Sequence, residues 1–402
     1  MGYPYGNSEV TFLHEEVKVL KDYFNRIIII PLNPDSTQKI NELPNNVEVL
    51  NLSRNKKYYK RGLGDYIYVM RLFIMELRLS KNLAPLKHLR YHLSELLVFL
   101  VLAKEVNELI KQAVINEEKD LLYTYWFDEG SSALAILKGK YNKRIKFISR
   151  AHGFDVYAER NKKGYIFPRG LQLKFVDRVY TISEDGKKYL AQKFPEQKEK
   201  FVCSRLGTKV EVHSNMEKKI NQGKLTLVSC SSIIPLKRVR KIIDILKFCK
   251  QSINWIHFGD GSLKNELVSS SAALPSHVTL QLRGHVENDE IKEFYAENHI
   301  DWFINVSQSE GIPVSIMEAI SYGIPIIAPA VGGIPEIVNA TTGILISEEF
   351  NPEEVANLID NVSFTTEQRA QIIEFWQLNY SAQTNFNVFA KELQSLVSNI
   401  SV

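Results

Sequence analysis

From Leu225 onward the chain alternates short apolar runs with helical patterns, and this alternation constrains its fold more than any other feature. Leu225–Ser229, Ile253–Phe258, Val278–Leu282 and Trp302–Val306 each read as a strand, each followed by a polar or glycine-bearing turn and a helical segment. Strands separated by helices pair in parallel, so the pattern predicts an α/β unit built on a parallel sheet. The first half is less regular: a helix over about Val10–Phe24, strands at Arg26–Pro31 and Val47–Leu52, a long helical region to about Ala113, then strands at Leu121–Tyr125, Ile145–Ser149 and Arg178–Ile182. At 402 residues and 45% apolar content the chain can bury two cores. The polar stretch Lys209–Lys224 is the expected linker, giving domains over 1–208 and 225–375, followed by an amphipathic carboxyl-terminal helix, 376–402.

In an open parallel sheet, ligands bind at the carboxyl ends of the strands, so the turns there carry the chemistry. The most informative is Ser309-Glu310-Gly311-Ile312-Pro313-Val314-Ser315-Ile316-Met317-Glu318-Ala319. Gly311 permits close backbone approach, and a helix opening near Pro313 or Val314 points unpaired amides, at the positive end of its dipole, toward phosphate or sugar oxygens. Glu310 stands where a carboxylate can accept sugar hydroxyls. Glu318 lies one turn inside the helix, where its two oxygens suit a vicinal diol such as ribose. The bland alternative makes Glu310 a helix cap and Glu318 a solvated charge.

A second cluster, Ser229-Cys230-Ser231-Ser232-Ile233-Ile234-Pro235-Leu236-Lys237-Arg238, follows the Leu225 strand. A departing diphosphate needs positive charge, and Lys237 and Arg238 can supply it; ordinary surface cations are the alternative. Phe258-Gly259-Asp260-Gly261-Ser262-Leu263 and Arg283-Gly284-His285-Val286 are further turns of this kind. In the first half, Arg150-Ala151-His152-Gly153-Phe154-Asp155 places His152 just past a strand, able to reach into an interdomain cleft or, equally, to bond to its own backbone.

The Glu310–Ala319 string, continuing through Ala319-Ile320-Ser321-Tyr322-Gly323-Ile324-Pro325 and Gly332-Gly333-Ile334-Pro335-Glu336, resembles the donor-site signature of the retaining glycosyltransferases of family 4, the glycosyl transferases group 1. The resemblance implies the GT-B fold, α/β with two Rossmann-like domains facing across a cleft and the carboxyl-terminal helix, 376–402, crossing back to the first domain. It also implies roles. Glu310 would hold the donor sugar, the amides of Gly311, Ile312, Pro313 and Val314 would border sugar and diphosphate, and Glu318 would bind the ribose. Lys237 matches the phosphate-binding lysine, while Ser232 stands where an arginine is expected, with Arg238 as a replacement. Gly261 and Val286 would line the nucleotide pocket, and His152 would contact the donor sugar, with Arg150 and Asp155 nearby. Family members open on a strand, and the expectation here is that this first strand is missing, by truncation or because the sheet does without it. The chain starts already in the turn, at Gly6, Asn7 and Ser8, which would approach the cleft.

The resemblance therefore implies a hexosyl transfer from a nucleotide diphosphate sugar, UDP-linked, to a glycan or polyprenyl-diphosphate-linked acceptor, as in capsule or exopolysaccharide synthesis. No cofactor and no metal are expected, since no Asp-x-Asp pair occurs and side chains and amides would stabilise the leaving group. A nucleotide-sugar epimerase of the same fold and an inactive transferase-like partner are the rivals. Cys203, Cys230 and Cys249 have no metal-ligand spacing and suggest no disulfide framework, and the start has no signal pattern, so the expected home is the cytoplasm. Arg54–His92 is rich in Lys and Arg with interleaved Tyr, against only Asp65 and Glu76. It suits peripheral contact with the inner face of the cytoplasmic membrane, or it is a solvated face. A net charge of +4 without a nucleic-acid motif leaves no case for nucleic acid.

Overall fold

The computed structural model describes residues 3–5, 10–32, 42–52, 61–141, 144–210, 219 and 223–398. It divides into two units, Met1–Ser204 with Phe386–Val402, and Arg205–Asn385. In chain order the first unit holds α1 (Val10–Leu20), β1 (Ile27–Ile29), β2 (Val47–Val49), α2 (Leu63–Ser80), α3 (Leu89–Lys111), β3 (Leu121–Thr124), α4 (Glu129–Tyr141), β4 (Lys146–Ala151), α5 (Arg169–Phe175), β5 (Arg178–Thr181), α6 (Glu184–Lys193) and β6 (Phe201–Cys203). Strands β3-β4-β5-β6 form one parallel sheet in that order, and β1 and β2 pair in parallel with each other. The main core lies where α2, α3, α4 and α5 meet the larger sheet, through residues such as Phe73, Leu96, Leu100, Ile136, Phe147 and Leu171. A smaller core joins Tyr3 to Leu13, Val17, Ile29, Val47 and Tyr125. The expected helical region up to Ala113 is interrupted: α2 ends at Lys81 in the left-handed conformation (φ 51°), and a short turn over Ala84–His88, led by Pro85, precedes α3. The segments on which the expected absence of a first strand depends, before Tyr3 and over 6–9, lie outside the described residues, and Gly6 and Asn7 fall there.

The second unit holds β7 (Leu225–Cys230), α7 (Arg240–Leu246), β8 (Ile253–Phe258), α8 (Lys264–Ser271), β9 (Val278–Gly284), α9 (Asn288–Glu297), β10 (Trp302–Ile304), α10 (Val314–Ser321), β11 (Ile326–Pro329), α11 (Ile334–Ile337), β12 (Gly343–Ile346), α12 (Pro352–Asn361), α13 (Thr366–Tyr380) and the start of α14 (Ala382–Ser398). Its sheet is parallel, in the order β12-β11-β10-β7-β8-β9. The chain builds outward from β7 on one side through β8 and β9, then returns to build β10, β11 and β12 on the other. The switch point therefore falls between β7 and β10, and the turns leaving those two strands are neighbours. Trp255, Trp302, Ile304 and Ile327 pack in the core with Ile242, Ile245 and Ile359 from the covering helices. The edge strands β6 and β12 do not stand out in the sequence pattern, being short and only partly buried.

The two units divide at Ser204/Arg205 and Asn385/Phe386, not over 209–224 and at 375. The reason is packing. Thr208 bridges Ser381, its Oγ1 accepts from Trp376 Nε1 at 2.9 Å, and Asn385 Nδ2 donates to the Leu206 carbonyl at 2.8 Å, which ties 205–208 and 376–385 into the second unit. Only from Phe386 does α14 serve the first unit, where Phe389, Ala390 and Leu393 pack on Leu20, Ile148 and Tyr180.

Candidate functional site

In the second unit the turns at the carboxyl ends of the strands lock into one another through backbone bonds. The Ile233 amide donates to the Asp260 carbonyl at 2.9 Å, the Gly259 amide to the Gly284 carbonyl at 2.7 Å, and the Gln308 amide to the Leu236 carbonyl at 2.9 Å. Glycine allows the approach, most closely at two positions. A Cβ on Gly332 (φ +52°) would lie 2.0 Å from the Glu310 carbonyl oxygen, and one on Gly259 (φ +139°) would lie 1.9 Å from the Ser231 carbonyl oxygen. The glycine-rich turn after β11 is thus the seat of the Glu310 loop. Gly261 lies beside Ile233 in the same belt of turns, its amide donating to Asp260 Oδ1 at 2.7 Å, and Val286 is half-buried ahead of α9.

Lys237 and Glu310, brought in from the turns after β7 and β10, form an ion pair at 2.5 Å. Glu310 is buried and does not cap α10, whose N-cap is Pro313 (φ −68°, ψ 126°). The Pro313 carbonyl accepts the amides of Ile316 and Met317, both at 3.2 Å, leaving Val314 and Ser315 to open the helix with amides ahead of its first intrahelical bond. Gly311 and Ile312 form the approach to that end, with Ile312 buried. Arg238 follows Lys237 in sequence but not in space. In the left-handed conformation (φ 48°), it donates from Nε to the Val306 carbonyl at 2.9 Å, from Nη2 to the Ser307 and Glu348 carbonyls, and from Nη1 to Glu349. Its charge braces the turn after β10, a departure from the expected phosphate-facing role. Ser232 is exposed.

Glu318 is buried on the inner side of α10, which overturns the solvated-charge alternative. Asn288 Nδ2, at the start of α9, donates to its Oε1 at 2.8 Å. Burial holds Glu318 above the usual carboxylate range despite that bond. Burial, with Glu318 beside it, also pushes the Cys230 thiol up to about 12. The Tyr295 hydroxyl, in the same surroundings, is buried without a hydrogen-bond partner among the described residues. Asn288 and Tyr295 were not singled out from the sequence. Asn288 had a signal, since it opens the helix after the Arg283–Val286 turn, whereas Tyr295 reads as an ordinary core residue.

In the first unit His152 sits just past β4, its ring against Trp126 at 4.2 Å and Tyr125 at 4.9 Å between centroids. Its Nδ1 lies 3.9 Å from Asp155 Oδ2, and neither ring nitrogen has a hydrogen-bond partner among the described residues, so the backbone-bonded alternative does not apply to its ring. Asp155 is a framework residue. Its carboxylate accepts the amides of Phe127 and His152, and although burial opposes ionisation, the His152 ring, the Phe127 amide and Arg169 hold it below the usual carboxylate range. Arg150 is likewise not at a ligand-facing position. Fully buried, it pairs with Glu16 at 2.9 Å, donates to Tyr123 Oη and the Ser204 carbonyl, and lies over the Phe389 ring.

Residues 213–377 match the family described as Glycosyl transferases group 1. The chain is 30% identical over 128 residues to a sulfoquinovosyl transferase of Arabidopsis thaliana, covering 30% of this chain but 23% of that relative. It is 24% identical over 263 residues to the putative colanic acid biosynthesis glycosyltransferase WcaL of Escherichia coli K12, covering 63% of this chain and 64% of the relative. Among solved structures, Anabaena HepE in complex with UDP and glucose superposes with a TM-score of 0.65 at 18% identity, over 98% of this chain and 97% of that one. The interlocked turns and this likeness agree: residues 213–377 are a glycosyl transferases group 1 domain, and the chain has the GT-B fold.

Proposed function

We propose that the protein is a retaining glycosyltransferase that moves a hexosyl group from a UDP-linked sugar to a glycan or polyprenyl-diphosphate-linked acceptor in surface polysaccharide synthesis. The observation that carries this reading is the Lys237–Glu310 pair at the start of α10, with Glu318 buried within the same helix. On donor binding, Lys237 leaves Glu310 for the diphosphate, whose terminal phosphate gains a second charge as it departs, and the amides of Val314 and Ser315 share that charge. Glu310, released, accepts hydroxyls of the sugar. Glu318, with one oxygen held by Asn288, presents the other to the ribose. The bond from the sugar C1 to the phosphate oxygen breaks as a bond to the acceptor oxygen forms on the same face, and the acceptor proton passes to the leaving phosphate oxygen. Ser232 contributes a hydroxyl donor near the phosphates. His152 in the first unit offers its two ring nitrogens to a ligand hydroxyl. UDP as the carrier is supported by the HepE complex and the polysaccharide role by the colanic acid relative, both at low identity. A nucleotide-sugar substrate suits a cytoplasmic enzyme.

Calorimetric titration with UDP, GDP, ADP and CMP in the presence of chelator tests the reading. The expected result is selective UDP binding, weakened at least about tenfold in Glu318→Ala, as for loss of a hydrogen bond to a charged group. A folded protein that binds none of the four overturns it, and conversion of a free UDP-sugar without acceptor points to an epimerase instead.

A further inference from the structure

A chain of buried polar groups runs through the core of the first unit, from α2 to the turns that leave β3 and β4. Glu76 of α2 accepts the Gly170 amide on one carboxylate oxygen at 3.1 Å and the Leu171 amide on the other at 2.6 Å. These amides open α5, and Arg169 beside them donates to the Phe127 carbonyl at 3.1 Å and to the Asp155 carbonyl. The Asp155 carboxylate in turn accepts the amides of Phe127 at 2.8 Å and His152 at 2.5 Å. Gln172 of α5 donates to the Asp128 carbonyl at 2.7 Å. Trp126 and His152 ride on these two turns, their rings 4.2 Å apart between centroids. Glu76, Arg169, Asp155 and Gln172 are each 1–3% exposed. Apolar side chains of the same volume would hold a helix against a sheet without the cost of burying charge, so what this network adds is direction: it fixes the backbone of two turns at the carboxyl ends of neighbouring strands.

We infer that Glu76 is a positioning residue for His152 and Trp126: its carboxylate seats the start of α5, and Arg169 of α5 sets the two turns that carry them. The inference rests on the part proposed for His152 in sugar transfer. The seat is tight, since a Cβ on Gly170 would lie 2.8 Å from Leu79 Cβ and 3.0 Å from Glu76 Oε2. An ionised carboxylate offers both oxygens as full acceptors, whereas a protonated one gives up part of that capacity. Burial pushes Glu76 up to about 7, against the pull of the two amides and Arg169. Arg169 is the charged group that faces it from α5. Burial lowers Arg169 to about 10, so it stays charged at neutral pH, shared among Asp155, Glu76 and Asp128. Helix α3, which also packs on α2, brings two buried titratable groups, Glu105 and His92, the latter held between Glu95 and Tyr165. As pH falls through about 7, a proton on one Glu76 oxygen weakens one of the two amide bonds, and the turns bearing His152 and Trp126 shift with α5.

Fluorine NMR of the full-length protein labelled with 5-fluorotryptophan tests this. The four tryptophans report separately, Trp126 on the first unit and Trp255, Trp302 and Trp376 on the second, and Trp126→Phe identifies its signal. In a titration from alkaline to mildly acidic pH, the Trp126 signal is expected to move with a midpoint near 7 while the other three stay in place. Glu76→Gln, with a single acceptor oxygen at every pH, should hold the Trp126 signal at one position, and His152→Ala should leave the titration as it is. A Glu76 that only stabilised the fold would change the melting temperature on substitution without giving a titration. A parent signal that does not move near pH 7 overturns the inference and requires no variant to fold. So does a titration that survives Glu76→Gln, one abolished by His152→Ala, which would put the proton on His152, or one in which all four signals move together. UDP titration keeps the two readings apart. Glu76→Gln should bind UDP as the parent does, and a parent that binds no UDP would sink the transfer reading while leaving the Trp126 titration to decide the role of Glu76.

Discussion

Lys237 and Glu310 each neutralise the other in a part-buried setting, so removing one partner leaves the remaining charge poorly solvated. Lys237→Ala should therefore destabilise the protein more than the double change Lys237→Ala with Glu310→Ala, by about 1 kcal/mol in urea unfolding. Equal losses would show that the two charges are uncoupled and that their proximity carries no energy. At this scale the sequence was legible for placement, where a residue's position follows from a strand end or helix start, as for Glu310, Glu318 and Lys237. It was not legible for Arg238. One left-handed residue turns that side chain away from its neighbour's direction and onto the carbonyls of Val306 and Ser307. Arg150 was misread for a related reason. Residues two apart on a strand share a face, but β4 ends at Ala151, so Arg150 enters the core beside Glu16 while His152, past the strand's end, turns against Trp126 and Tyr125.

Among the elements, the turn after β11 and the turn after β10 act as one piece because Gly332 lets them touch. Gly332→Ala would put a Cβ 2.0 Å from the Glu310 carbonyl oxygen and force a positive φ on a residue that disfavours it. The variant should lose about 1–3 kcal/mol of stability and nearly all sugar transfer, because the displaced backbone carries Glu310 with it. Thermal unfolding and a turnover assay on the same preparation check this. A variant that melts and turns over like the parent would show that the contact does not set the loop. The inner strands of the second sheet were readable because burial on both faces makes them nearly continuous apolar runs, and β9 because its apolar residues alternate with polar ones. Strands β6 and β12 were not, since they are short and only partly buried and so leave little apolar pattern to read.

For the whole molecule, the last helix has the most consequence. The end of α14 completes the first unit, with Phe389 against Tyr123, Tyr180 and Arg150. Phe389→Ala should remove about 3–5 kcal/mol from that unit by leaving a cavity beneath β4 and β5. Hydrogen exchange resolved by peptide should show the loss over Leu121–Cys203 and leave Leu225–Ile346 as protected as before. Equal loosening of both units would mean that they unfold as one.

The sequence by itself determined the class of fold and most of the candidate site in the second unit. Parallel strands announce themselves through local periodicity, and glycine, proline and acidic residues mark turns by local backbone needs. Tertiary structure alone decided the rest: that Lys237 pairs with Glu310 while Arg238 braces backbone carbonyls, where one unit ends and the other begins, and that α2 shows an apolar stripe to solvent. Each of these depends on partners tens or hundreds of residues away, such as Thr208 with Trp376 or Arg150 with Glu16. Burial and pairing of that kind are set by packing, which no local pattern encodes.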